Sequence, residues 1–297
     1  MSRPKVSIVL PTLQGEEDLS RLLPSLKTQE LAGELELVAI DSSSTDRTRE
    51  LLDAAGARVL TVERHEFQHG ATRNRAAREA SGEILVFLSQ DAVPRDPQTL
   101  ARLCAAFDDP SVAGATARVL PHDDDDPLTR RTVLWAPEAS EEERVVGLDE
   151  LPHGADVAQR TDLLRFNNVA SAIRASVFET IPFPEVPFGE DAAWALEAVT
   201  AGHRIAYVPE SVVLHAHRYT PRGAFRRYRT DAEFLRRMHG LRVRPSLVSL
   251  VRGVLYEVKS DLGFLASAPG PGRLAGLIRS PLLRSAQVLG QYVGSRG

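Results

Sequence analysis

The residues best suited to chemistry begin with Gly82-Glu83-Ile84-Leu85-Val86-Phe87-Leu88-Ser89-Gln90-Asp91-Ala92, where an uninterrupted apolar run leads into one carboxylate. Ile84 to Leu88 reads as a buried parallel strand, which delivers Asp91 to its C-terminal end, where open α/β sheets bind ligands. A lone acid there suits a metal-bound diphosphate, because hard divalent cations take carboxylate oxygens and share coordination with phosphates. A second acid-bearing loop, Asp41-Ser42-Ser43-Ser44-Thr45-Asp46, could accept hydrogen bonds from a base's imide N–H or a ribose hydroxyl, or simply form a turn with a helix cap. The Glu190-Asp191 pair after Gly189 is by itself a helix-capping feature. Asp123 to Asp126 read as solvated charge, since four consecutive acids in an irregular loop cannot all face one ion.

The elements that must position these residues follow from periodicity. Residues 5–119 alternate short apolar runs with amphipathic segments: strands at 5–11, 35–41, 57–62, 83–89 and 112–119, helices at 16–27, 45–55, 70–80 and 97–107. That alternation implies a parallel sheet with crossover helices. The pattern fades between Leu120 and Leu164, which reads as an irregular excursion over the sheet edge. It returns with a strand in 167–174, helices at 175–180 and 189–201, a strand at 204–208, a basic helix at 221–239 and one or two C-terminal helices. Trp194 falls on the buried face of its helix, whereas Trp135, in the irregular region, could stack on a ligand.

Composition narrows the class. The 297 residues are 43% hydrophobic and 26% charged, enough for one large α/β domain with an appendage. A single cysteine, Cys104, excludes a disulfide framework and reads as core packing in a reducing compartment. A strand at residues 6–10 leaves no room for a secretory leader, and arginines interrupt every long apolar stretch in the last third. The net charge of -4 conceals an asymmetry: from Arg218 to Gly297 there are 15 Lys/Arg against 4 Asp/Glu. Such a tail could lie on an anionic membrane surface, or pack on the sheet domain with a solvated basic face. It lacks the interleaved aromatics of a nucleic-acid surface, so no nucleic-acid partner is expected. The first loop, Pro11 to Glu17, lacks the G-x-G-x-x-G turn, which disfavours dinucleotide binding.

Taken together, Ser7-Ile8-Val9-Leu10-Pro11-Thr12, Ala39-Ile40-Asp41-Ser42-Ser43-Ser44-Thr45-Asp46-Arg47-Thr48, His69-Gly70-Ala71-Thr72-Arg73-Asn74 and Ser89-Gln90-Asp91-Ala92 resemble the inverting family 2 glycosyltransferases with a GT-A fold. The likeness is to the rhamnosyltransferase branch, whose members carry a similar H-G-x-T-R-N and a Q-D-A in place of the usual D-x-D. Phe188-Gly189-Glu190-Asp191-Ala192-Ala193-Trp194 and Val213-Leu214-His215-Ala216-His217-Arg218-Tyr219 extend it to about residues 5–240.

The resemblance implies an α/β GT-A fold with a mostly parallel central sheet, a catalytic domain at 1–239 and a basic helical extension at 240–297. It implies transfer of a sugar, L-rhamnose from dTDP-L-rhamnose or another UDP- or GDP-sugar, to a glycan or lipid-linked acceptor in polysaccharide synthesis. The place implied is the cytoplasm, peripheral on the inner face of the cell membrane. Asp191 is the implied general base with Glu190 in reserve. Pro11, Thr12, Glu16, Asp41, Arg73, Gln90, Asp91 and Asn168 are the implied donor-binding set, Arg73 through forked hydrogen bonds or else tied in a surface salt bridge. Asp91 and His215 would hold Mg²⁺ or Mn²⁺, with His217 beside them in sequence; Asn167 sits with Asn168 next to the donor sugar or in a turn. The departure is Gln90, an amide where many members place a second acid. A sugar nucleotidyltransferase would need a Gly-rich, basic first loop that Pro11 to Glu17 does not supply. A catalytically weak nucleotide-sugar-binding scaffold is the rival outside enzymology.

Overall fold

The computed structural model describes residues 5–31, 33–151, 154, 156–267 and 272–296, so 268–271 and 297 of the expected basic extension lie outside the described residues. In chain order it begins with β1 (Val6–Thr12), α1 (Glu16–Lys27), β2 (Leu35–Asp41), α2 (Thr48–Ala54), β3 (Arg58–Thr61), α3 (His69–Ala77) and β4 (Ile84–Leu88). β5 (Val93–Pro94), α4 (Thr99–Ala105), β6 (Val112–Leu120), α5 (Pro127–Leu134), β7 (Arg144–Val146) and α6 (Val157–Leu163) follow. The chain continues through β8 (Ala170–Arg174), α7 (Ala175–Phe178), α8 (Glu190–Thr200), β9 (Arg204–Leu214), α9 (Pro221–His239), α10 (Leu247–Ser267) and α11 (Arg273–Gly294).

Two compact units emerge: Met1–Leu120, Glu138–Ala155 and Asp162–His215 in the first, Pro121–Pro137, Asp156–Thr161 and Ala216–Gly297 in the second. A division at 239/240 would leave α9 with the sheet, whereas compactness groups α9 with α10 and α11.

The first unit is built on a sheet of order β3-β2-β1-β4-β8-β6-β9-β5, with β7 paired to β9. β1 to β4 run parallel to one another in the arrangement expected from the alternation of the first ninety residues. β8 enters antiparallel between β4 and β6, so the sheet is mixed, its longest ladders parallel. β1 sends its connection to β2 on one side and has β4 on the other, a switch in strand order that opens a crevice at the strands' C-terminal ends.

Local sequence explains the elements that frame that crevice. α1 puts Leu19, Leu22 and Leu26 on one buried face, and carries Glu16, Glu17 and Asp18 in its first turn where they complement the helix dipole. β4 is buried throughout, with Phe87 packed between Phe178 at 5.2 Å and Phe183 at 4.9 Å. Trp194 is fully buried, as expected, and its indole donates to the Ile181 carbonyl at 2.8 Å. Desolvation pushes the Cys104 thiol up to about 12, consistent with an inert packing residue.

Two expectations need correction. The strand read as 204–208 runs to Leu214, and Pro209 sits where the β6–β9 register slips between Ala117↔Val208 and Arg118↔Val212. A bulge tolerates a residue that has no N–H to give. The stretch read as irregular contains α5, whose cap is Asp126: its carboxylate accepts from Leu128 N at 3.1 Å and from Thr129 Oγ1 at 2.9 Å. Of the four acids read as solvated, Asp126 is therefore structural, and it also lies 3.3 Å from Arg218.

In the second unit Leu128, Ala224, Leu265 and Leu283 form a small apolar core. Beside it, Arg131 and Arg284 converge on the fully buried Asp261, and Arg131 reaches Glu257 at 2.8 Å. Trp135 is 54% exposed, with the Arg131 guanidinium 4.6 Å from its ring centre.

Candidate active site

At the strand ends of the first unit lies a cleft of about 420 Å³, walled by Pro11, Thr12 and Leu13 from β1, Ser42 after β2, Arg64 and Phe67 after β3, His69 and Arg73 of α3, and Ser89, Gln90 and Asp91 after β4. Of the expected donor set, Pro11, Thr12, Arg73, Gln90 and Asp91 thus meet in one cleft. Asp41, Glu16 and Asn168 do not line it. Asp41 is fully buried and spent on its own loop: Oδ1 accepts from Thr12 Oγ1 at 3.0 Å and Ser44 Oγ at 2.6 Å, Oδ2 from Ser44 N at 2.9 Å. It shapes the loop that presents Ser42, whose buried hydroxyl lines the cleft without a hydrogen-bond partner among the described residues. Glu16 turns to the next loop and accepts from Arg47 N at 3.3 Å.

Gln90 has a structural task. Its amide oxygen accepts from Leu13 N at 2.8 Å, and its amide nitrogen donates to Leu13 O at 3.2 Å and Asp18 Oδ2 at 2.7 Å. A second acid could not make this three-way clamp, because a carboxylate has no hydrogens to donate.

The H-G-x-T-R-N run acts largely as a lock on the loop before α8. Gln68 caps α3 by accepting from Ala71 N at 2.5 Å and donates to Val186 O at 2.7 Å. Asn74 makes a two-way bond with the Phe183 backbone, 2.8 Å to its carbonyl and 3.0 Å from its N–H. Gly70 permits the approach, since a Cβ there would stand 2.5 Å from Pro184 O. Arg73, 6% exposed, pairs with Glu190 Oε1 at 3.0 Å, so its ion pair is buried rather than the surface bridge considered from sequence.

That pair leads to the second set of acids. Gly189 adopts φ 77°, a left-handed turn that favours glycine, and starts α8 with Glu190 and Asp191. Glu190 is buried and accepts from both Arg73 and, at 3.1 Å, Asn168 Nδ2. Asp191 accepts from Asn168 N at 3.0 Å on Oδ2 and from Ala192 N at 2.8 Å on Oδ1. Desolvation, with the neighbouring Glu190 carboxylate, pushes the Asp191 carboxyl up to about 6 against the pull of these hydrogen bonds. Asn168 therefore holds both acids, backbone to one and side chain to the other. Its own Oδ1 accepts from Ser171 Oγ at 2.8 Å, and the β4–β8 pairing keeps it beside the β4 exit, where Ser89 N donates to Val169 O at 3.1 Å.

Asp91 and His215 are brought together by the short antiparallel β5–β9 ladder, in which Val93 pairs with Leu214. The residues flanking that pair meet, and Asp91 Oδ1 lies 3.2 Å from His215 Nδ1. One carboxylate and one imidazole thus stand together at the cleft's edge, oxygen and nitrogen donors of the types that divalent cations take. His217 belongs to the second unit.

Ser42, Arg64, Phe67, His69 and Ser89 also line the cleft and were not singled out from sequence. Arg64 follows β3, and the rule that strand-end loops bind ligands marks its position. His69 opens the quoted H-G-x-T-R-N run and Phe67 lies two residues before it, their rings meeting edge to face at 4.9 Å.

Residues 7–159 match the family described as Glycosyl transferase family 2, and the chain belongs to it, which makes it a glycosyltransferase. It is 32% identical over 231 residues to the O-antigen chain rhamnosyltransferase RfbN of Salmonella typhimurium, an alignment covering 75% of this chain and 70% of that protein. With the O-antigen chain rhamnosyltransferase WbaN of Salmonella anatum it shares 35% identity over 198 residues, 65% of this chain and 60% of that one. The chain thus aligns with 60% to 70% of the length of these relatives. In fold it is similar to the mannosyltransferase PcManGT of Pyrobaculum calidifontis, solved with GDP-Man and Mn2+, at TM-score 0.61 and 20% identity over 99% of this chain and 86% of that one. The S. aureus TarS 1-349 structure with UDP-GlcNAc matches at TM-score 0.56 and 18% identity, over 96% and 90%. The GT-A architecture expected from sequence is the architecture of this chain.

Proposed function

We propose that the protein transfers L-rhamnose from dTDP-L-rhamnose to a hydroxyl of a glycan or lipid-linked saccharide in polysaccharide synthesis, by one displacement with inversion, at the cytoplasmic face of the membrane. The chemistry rests on one observation above all: Asn168 holds the Asp191 carboxylate through its backbone N–H and, through its side chain, Glu190, the partner of the cleft's Arg73. The choice of sugar rests on the two Salmonella relatives.

In this reading the cleft takes the donor. Ser42 and Thr12 lie toward the nucleoside, and Arg64 contributes charge toward the diphosphate. Asp91 and His215 would hold Mg²⁺ or Mn²⁺, a choice their oxygen and nitrogen donors leave open, and the metal would neutralise charge on the leaving diphosphate. Asp191 activates the acceptor. Asn168 N and Ala192 N occupy one lone pair on each of its oxygens, leaving another free to accept a proton. The acceptor oxygen bonds to the sugar's C1 as the C1–O bond to dTDP breaks, and the acceptor's proton passes to Asp191. A group with pKa near 6 is ionised at neutral pH yet basic enough to take that proton.

A thermal-shift panel of dTDP-rhamnose, UDP-glucose, UDP-N-acetylglucosamine and GDP-mannose, each with and without Mn²⁺, tests the donor. A metal-dependent rise with dTDP-rhamnose alone is expected. A selective rise with another donor replaces the sugar but keeps the mechanism. No response to any donor overturns the cleft assignment and favours a scaffold.

A further inference from the structure

The second unit carries a surface that catalysis does not use. Along α10, Leu247, Val251, Leu255 and Leu262 recur at helical spacing and are 47% to 65% exposed. Val248, 59% exposed, widens this stripe. On α11, Leu274, Ile278, Leu282 and Leu289 repeat at intervals of four or seven and are 45% to 72% exposed. Isolated exposed leucines are ordinary, but two long helices each with a continuous apolar stripe facing water are not. Among the described residues, no helix is long and apolar enough to cross a membrane.

Charge identifies what covers these stripes. The two helices contain two acids, Glu257 and Asp261, and both are drawn inward: Glu257 to Arg131, and Asp261, fully buried, to Arg131 and Arg284. Arg252, Lys259 and Arg273 stay exposed. At 100° per residue, Arg252 and Lys259 project beside the α10 stripe rather than opposite it. The outward face is therefore apolar and cationic without a compensating acid. A second copy of this chain would set cation against cation, whereas an anionic bilayer takes the apolar side chains into its interface and the cations at its headgroups.

We propose that the outer faces of α10 and α11 dock the protein on an anionic phospholipid surface, lying in the interface without spanning it. The inference concerns the second unit alone and stands whichever donor the cleft takes. The test is flotation of the full chain with vesicles of phosphatidylcholine, with and without about one third phosphatidylglycerol. Binding should require the anionic lipid and weaken in high salt. Leu255→Ser with Ile278→Ser and Leu282→Ser should lower the partition coefficient roughly tenfold or more, because each change removes an apolar anchor. Arg252→Gln with Lys259→Gln should lower it less and flatten the salt dependence. All five positions are exposed, so unchanged thermal unfolding verifies that the variants are folded. Equal binding to neutral vesicles, or retention by the serine variant, overturns the proposal. So does a wild-type dimer in sedimentation that the serine variant converts to monomer, since the stripes would then belong to a second copy.

Discussion

Each unit buries arginine among carboxylates, and the two clusters are balanced differently. In the second unit two cations, Arg131 and Arg284, face two acids, Glu257 and Asp261. Asp261 accepts from Arg131 at 2.7 Å, from Arg284 at 2.8 and 3.0 Å and from Ser280 at 2.5 Å, so both its oxygens are taken by side-chain donors. In the first unit one cation, Arg73, serves two acids, and its bond goes to Glu190. Among the described residues, Asp191 accepts from two backbone N–H groups and has a like charge next to it. The balanced cluster ties helices together, and the unbalanced one leaves a carboxyl poised to exchange a proton near neutrality.

Removing the poised group should have the largest effect. Asp191→Asn keeps an oxygen to accept from Asn168 N but has no basic carboxylate, so transfer should fall about 10²–10⁴-fold, the usual worth of a general base. Donor binding in the thermal-shift panel should persist, because Asp191 does not line the cleft. Full activity in the variant would assign the base elsewhere.

The balanced cluster should answer in stability. Asp261→Asn leaves Arg131 and Arg284 buried with one acid between them, at a cost of about 3–5 kcal/mol in denaturant unfolding. A cost below about 1 kcal/mol, the range of exposed pairs, would mean that water reaches the cluster.

The contrast between the clusters also marks how far the chain could be read in advance. Strand and helix periodicity located α1 and β2 to the residue and placed α9 near its observed bounds. β9 runs six residues past its expected end, through a bulge at Pro209 that only the pairing with β6 reveals. α5 was missed because its cap, Asp126, hides in a run of four acids. At the site, Asp91 and His215 were expected together from strand-end position and motif, and they lie 3.2 Å apart. The offices of Asp41 and Gln90 were not: both types can bind a ligand or hold a loop, and only the count of donors around them decides. The Arg73–Glu190 pair joins residues 117 apart, a separation that no local pattern reports.

The smallest expected effect is the sharpest test of the imbalance. Glu190→Gln keeps an oxygen to accept from Arg73 and Asn168 but removes the charge that helps raise Asp191. Arg73 then acts on Asp191 alone. The base must be ionised, so the rate of the wild type should rise with pH through about 6, and in the variant that limb should move down toward the ordinary value of 3.8. Stability should follow the same shift. Because the folded pKa is raised, the folded state binds the extra proton between pH 3.8 and about 6, and stability declines across that window as pH rises, then levels off. With about 1.4 kcal/mol per unit, the decline is at most about 3 kcal/mol in the wild type and less in Glu190→Gln. An unmoved acidic limb, with the variant folded, would mean that desolvation alone raises Asp191 and that the missing second cation has no part in making the base.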